Sequence, residues 1–148
     1  MALALTEARA ALEHDDVPIG AVVARLDGTV VAVAHNERER RNDPTAHAEV
    51  LALQAASREV GSWRLSGLVL VSTIEPCPMC AGAAWAARVD LLVFGAADPR
   101  AGAAGSLYNL AADPRLNHEI AVVPGVRSDE CAALVEQFFA TRRSRPVS

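Results

Sequence analysis

No stretch of this sequence stays apolar for the roughly 20 residues that a membrane-spanning helix needs, and its start has neither the basic cluster nor the small-residue cleavage site of a secretory leader. The expectation is a cytoplasmic protein with no membrane partner. Cysteine is scarce and odd in number, three in all, so a disulfide framework is excluded as the source of stability. A surplus of positive charge is also missing: the net charge of −4 offers nucleic acid no global attraction, and any RNA contact must rest on a local patch such as Arg142, Arg143 and Arg145. Lysine is lacking while Ala and Arg abound, which looks like a coding bias without functional meaning. Repeats and internal linkers are absent too. What is present is apolar residues, 51% of 148, enough to bury one full core in a single domain covering residues 1–148.

Leu3, Leu5, Ala8 and Leu12 recur near helical spacing and predict a short first helix over residues 3–14, stopped by Asp15, Asp16 and Pro18. Two β-rich runs, 19–26 and 29–34, flank Asp27-Gly28 and predict an antiparallel hairpin. The polar stretch 36–43 reads as a loop, with Thr45 as the cap of a helix over 46–58 that Gly61 ends. Residues 68–74 form a largely apolar run rich in β-branched side chains, the pattern of a central strand buried on both faces. Pro78 suits the first turn of a helix running to Ala87. A strand over 90–94, a short helix around 107–111, a strand over 120–123 and an amphipathic helix capped by Ser128 complete the order. The sum is an α/β chain in three layers, because parallel neighbouring strands need crossover helices.

The chemistry concentrates in two places, His47-Ala48-Glu49 and Pro76-Cys77-Pro78-Met79-Cys80. Together they match H-x-E…P-C-x-x-C, the signature of zinc deaminases. One histidine and two thiolates fill three of zinc's four tetrahedral positions and leave one for water. Both ligand groups fall at predicted helix starts, where the positive dipole end favours the thiolate. Zinc would bring its water toward neutral pKa, and Glu49 would move the proton from that water to the departing amine. A structural zinc site or a redox pair is the alternative for a lone C-x-x-C, but a structural site needs a fourth protein ligand. His14, His35 and His118 form no second close-spaced ligand pair in the sequence. Cys131, in an apolar helical stretch, reads as a small core residue.

Around this centre the chain resembles the bacterial tRNA adenosine deaminase family of the cytidine deaminase superfamily, nearly from end to end. The resemblance rests on Val17-Pro18-Ile19-Gly20-Ala21-Val22, Asn36, Asp43 to Glu49, and Glu75 to Ala83. It continues through Val93 to Asp98, Gly102-Ala103-Ala104-Gly105-Ser106, Asn117-His118, Asp129 to Leu134, Phe138-Phe139 and Arg142-Arg143. It implies a cytidine-deaminase-like three-layer α/β/α fold with a five-stranded mixed sheet, one Zn2+ per subunit, and a homodimer. The implied activity is hydrolysis of the wobble adenosine of a tRNA anticodon stem-loop to inosine. Substrate contacts fall on Asn36, Ile19, Glu75, Pro76, Asp98, Phe139, Arg142 and Arg143, with Glu75 open to a structural role and one of the two Phe residues to core packing.

The metal core is shared with free guanine and cytosine deaminases, and Pro78-Met79 with Trp85 look like the guanine enzymes; the back half looks like the tRNA enzyme. A free-base or nucleoside deaminase therefore stands as the rival enzyme, and a non-catalytic, zinc-stabilised RNA-binding protein as the rival of another class. The sequence departs from the family at Val71, Ser72 and Ile74, where an aromatic residue, Val and Leu are usual, and in its scarcity of basic residues near the start.

Overall fold

The computed structural model describes residues 1–144, so Arg145 of the terminal basic patch lies outside the described residues. Five strands form one sheet in the order β2-β1-β3-β4-β5. They are β1 (Gly20–Arg25), β2 (Val30–His35), β3 (Leu68–Ile74), β4 (Leu91–Ala96) and β5 (Ala121–Val123). The hairpin and the β1/β3 pair are antiparallel, whereas β3/β4 and β4/β5 are parallel. The mixed sheet expected from the family resemblance is thus present.

Alternation along the strands assigns the two faces. Ala21 and Val23 of β1 and Leu68 and Leu70 of β3 pack with Ala48, Ala52, Leu53 and Ala56 of α3 (Ala48–Val60) and with Ala84 and Ala87 of α4 (Pro78–Ala87). The intervening Val22, Ala24 and Val69 pack on Ala4 of α1 (Ala2–Ala10). Cys131 of α5 (Ser128–Arg143) meets Leu5 and Ala96 on that same outer side, and its thiol is buried as a core group. Many of the contact positions are alanines, which lets helices sit close to the sheet. At Gly20 this closeness is absolute: a Cβ would lie 2.0 Å from the Ala4 carbonyl oxygen.

Four local expectations are corrected. Residues 36–43 are not all loop, because Arg38–Arg41 form a single helical turn, α2. Its free N–H groups at Glu39 and Arg40 are accepted by the Asp16 carboxylate at 2.7 and 3.1 Å. A cap so distant in sequence leaves no local signal. Thr45 does not cap α3; its N–H and hydroxyl bond Asp43, and the N-cap position falls to His47 in an extended conformation. Nor is there a helix at 107–111. The N–H groups of Ala104 and Ser106 go to the Glu75 carboxylate, and those of Leu107 and Tyr108 return to the Gly102 carbonyl. Ser128 is the first helical residue of α5 rather than its cap, which is Arg127 in the left-handed region at φ 52°.

Candidate active site

The ends of β3 and the starts of α3 and α4 meet at one place. His47 is the N-cap of α3 and Cys77 the N-cap of α4; Pro78 opens α4 and Cys80 lies in its first turn. Proline costs nothing there, since the first helical N–H has no partner to lose. His47 Nδ1 lies 3.7 Å from Cys77 Sγ and 3.4 Å from Cys80 Sγ, and all three donor atoms fall within 4.8 Å of one another. Tetrahedral bonds of about 2.0–2.1 Å to nitrogen and about 2.3 Å to sulfur would set N and S about 3.6 Å apart, so the donor set fits a metal ion of zinc-like size. Three donors leave a fourth position for water or substrate, the mark of a catalytic rather than a structural centre.

The electrostatics separate the two thiols. The Cys77 thiol is held down at about 4, first by the Cys80 thiol and then by the His47 ring and the Cys80 N–H, against the upward push of burial. A thiolate that ready is a metal ligand. Cys80, buried at the helix start beside it, is pushed the opposite way, first by the Cys77 thiol and then by burial, so the pair holds one proton that a bound metal would displace.

Glu49 sits one residue inside α3, 4% exposed. Because His47 caps the helix in an extended conformation, the two side chains need not share a helical face, and both border one cavity of about 160 Å³. Burial pushes the Glu49 carboxyl up; the Cys80 thiol and the Ser72 hydroxyl oppose that push. Ser72 Oγ lies 2.8 Å from Glu49 Oε1. A buried carboxyl with a raised pKa can hold and release a proton, which is what acid–base work requires.

The same cavity is lined by Ile19, Asn36 and Phe139, three of the expected substrate contacts, and by Arg38, which sequence reasoning missed. Asn36 is buried and its side chain spans a turn, donating to the Val17 carbonyl and accepting from the Arg38 N–H. Phe139, 41% exposed, also lines a larger cavity of about 570 Å³ with Asp98, Arg100 and Arg143. Phe138 is buried beside it in an edge-to-face contact. Arg142 is turned elsewhere: it lies over the Phe138 ring at 4.5 Å and pairs with Asp15 at 2.9 Å.

Glu75 and Pro76 are not brought into the metal cavity. The Glu75 carboxylate accepts the N–H groups of Asp98, Ala104 and Ser106 as well as the Ser106 hydroxyl, and the Pro76 carbonyl accepts from Ala103. Gly102 is required at this crossing, since a Cβ there would lie 2.3 Å from the Glu75 carboxyl. The pair therefore ties the 98–106 loop to the end of β3, and Asp98 spends one oxygen on the N–H groups of Arg100 and Ala101. His118 donates to or accepts at neither cavity; its Nε2 bonds the Val89 carbonyl. Ser72 was missed because position 72 reads as one more buried strand residue.

Comparison with known proteins gives a consistent picture. The family described as MafB19-like deaminase matches residues 1–143. The tRNA-specific adenosine deaminase of Bacillus subtilis (strain 168) is 46% identical over 142 residues, spanning 96% of this chain and 88% of that protein. A structure solved in studies of A-to-I editing by tRNA:A34 deaminases at the wobble position superposes with a TM-score of 0.86 at 43% identity, covering 90% of this chain and 96% of that one. A guanine deaminase from Nitrosomonas europaea superposes at 0.78 with 27% identity, covering 94% and 82%.

Proposed function

This chain belongs to the MafB19-like deaminases and, within them, to the tRNA-specific adenosine deaminases, and on that premise we propose that it hydrolyses the wobble adenosine of tRNA to inosine. The observation that carries the reaction is the convergence of Glu49 and His47 on one cavity, with both thiols of the C-x-x-C motif within ligand distance of the same ring. Identity of 46% to a tRNA enzyme against 27% to a guanine enzyme carries the substrate.

A zinc ion held by His47 Nδ1 and the thiolates of Cys77 and Cys80, one per subunit, supplies when bound the Lewis acidity that makes water nucleophilic near neutral pH. Glu49 takes the proton from the attacking water and returns it to the exocyclic amine, so that water adds at C6 of adenine, the C–N bond breaks, and ammonia leaves with inosine as product. Ser72 holds the Glu49 carboxyl in place through both proton transfers. Ile19 and Asn36 wall the base, Phe139 offers a stacking face, and Arg143 reaches phosphate from the adjoining cavity. Glu75, Pro76 and Asp98 act by shaping the 98–106 loop. An anticodon loop presents splayed bases, so little unstacking energy is needed to bring one into the pocket.

The chain works as one catalytic domain in the cytoplasm; none of its described helices is long and apolar enough to cross a membrane. A homodimer is supported by a partly exposed apolar patch formed by Val50 of α3, Ala83 and Ala86 of α4, and the exposed Trp63 beyond the end of α3. The substrate is tested by offering the metal-loaded protein a tRNA anticodon stem-loop, free guanine, free cytosine and adenosine, and measuring inosine and ammonia. Inosine in the stem-loop is expected; turnover of free bases alone overturns the tRNA reading, and turnover of nothing favours a binding protein.

A further inference from the structure

A second cluster of ligating side chains lies where the start of the chain crosses the end of the hairpin. His14, in the 3-10 turn Ala11–His14 that extends α1, faces His35, the last residue of β2. Their Nε2 atoms are 3.1 Å apart. His14 Nδ1 lies 2.6 Å from Asp16 Oδ2, and His35 Nδ1 lies 2.9 Å from Glu7 Oε2. A third carboxylate, Glu37, places Oε1 3.8 Å from His35 Nε2. One ligand atom each from His14, His35 and Glu37 lies within 4.8 Å of the other two.

Proton placement makes this contact informative. An ionised carboxylate only accepts, so each Nδ1 is the ring nitrogen that carries hydrogen. Each neutral ring then points the lone pair of Nε2 at its partner. Two lone pairs at 3.1 Å repel unless a proton or a metal ion stands between them. The Glu37 oxygen beside them supplies the third ligand that a metal ion, not a proton, would use. Histidines that bind metal through one nitrogen while giving the other N–H to a carboxylate are the usual arrangement around such ions, the carboxylate fixing the tautomer and raising the donor strength. Here both histidines are so held.

We propose that His14, His35 and Glu37 form a second metal site, separate from the His47–Cys77–Cys80 centre, which takes a divalent transition ion of the zinc class. Two imidazole nitrogens bound tetrahedrally at about 2.0–2.1 Å would sit about 3.3–3.4 Å apart, a few tenths of an ångström from the separation already present. Glu37 completes the set by a small rotation. It shares its carboxylate with Arg40 at 3.2 Å and with Arg41, and its two oxygens offer enough lone pairs for an ion as well. Nitrogen and oxygen ligands without sulfur distinguish this site from the thiolate centre. All three side chains are partly open to solvent, which gives the ion an entry path.

The site would brace one wall of the catalytic cavity. Asp16, which orients His14, also caps α2. His35 precedes Asn36 and Glu37 precedes Arg38, both of which line that cavity. An ion here ties α1, the 3-10 turn, β2 and α2 together.

The proposal is tested on the full-length protein carrying one equivalent of zinc, by titrating further Zn2+ against a competing chromophoric chelator and recording long-range 15N–1H spectra of the imidazoles. A second equivalent should bind, shift the Nε2 resonances of both His14 and His35, and raise the unfolding midpoint. His35→Gln should abolish that second equivalent while the first remains, and Glu7→Gln, which leaves all three ligands, should weaken it about 10- to 100-fold. Saturation at one equivalent, or unshifted Nε2 resonances of His14 and His35 in the wild type, overturns the proposal. The wild-type spectra decide the matter even where a variant does not fold.

Discussion

The Ser72 hydroxyl lies 2.8 Å from Glu49 Oε1 and 2.7 Å from the carbonyl oxygen of Ile74. It has one hydrogen and two acceptors. When Glu49 is ionised the hydroxyl donates to it; when Glu49 carries the proton, Ser72 turns its hydrogen to Ile74 and accepts from the acid. The partner of the Glu49 carboxyl is thus matched to both of its protonation states. Ser72→Ala should lower kcat about fivefold, from loss of about 1 kcal/mol of hydrogen bonding, with KM for the stem-loop and the zinc content unchanged. Steady-state kinetics check it; an unchanged kcat removes Ser72 from the proton-moving unit.

Glu75 fastens the 98–106 loop, and its pKa follows. Burial pushes the carboxyl up, but the Ser106 hydroxyl and the N–H groups of Asp98, Ser106 and Ala104 outweigh that and hold it below the ordinary glutamate value. A group with a depressed folded pKa adds stability that is present above its unfolded pKa and lost as pH falls through the folded one. Glu75→Gln leaves part of this donor set unpaired and should cost about 1–3 kcal/mol near neutral pH. The gap from wild type should shrink as pH falls below the ordinary carboxylate range. Denaturant unfolding across that range measures it, and a pH-independent gap would contradict the assignment.

Phe139 stands between the metal cavity and the larger cavity next to Arg143. Loss of one base-stacking face costs about 1–3 kcal/mol, so Phe139→Ala should raise KM for the stem-loop about tenfold or more and change kcat less. Phe138→Ala, by contrast, empties a buried position and should act on the unfolding midpoint. Equal effects of the two on KM would show that the exposed ring has no special role.

The three cysteines should separate cleanly. Cys80→Ala should leave the thiolate centre without zinc and without activity, and a chelator should do the same to the wild type, reversibly on return of zinc. Cys131→Ala, in the outer core against Gly95 and Leu5, should keep both. Metal analysis by mass spectrometry distinguishes them; zinc loss from the Cys131 variant would disprove its core role.

Much of this was legible in the sequence for physical reasons. The run 68–74 matches β3 to the residue because seven residues rich in β-branched side chains are too short for a buried helix and suit a strand, and Pro78 marks the start of α4 because proline tolerates few helical positions. The cluster of His47, Cys77 and Cys80, which could hold a metal ion, was legible because thiolate and imidazole donors at helix starts keep a fixed local spacing. What failed was long-range. The α2 turn depends on Asp16 from before β1, and the missing helix at 107–111 on Glu75 from the end of β3. In each case a distant carboxylate takes N–H groups that local propensity would assign otherwise. The partners of Arg142, Asp15 and Phe138, were hidden for the same reason, since they become visible only once α5 folds back on the start of the chain.

In the proposed mechanism Glu49 moves the protons at a metal centre it does not help to hold. The most direct measurement is inosine formation in a tRNA anticodon stem-loop by wild type and by Glu49→Ala, with zinc at the thiolate centre quantified in both. Inosine from the wild type alone, with that zinc retained in the variant, is the predicted result. Equal inosine from both proteins, or loss of the thiolate-bound zinc with the carboxyl, would contradict it.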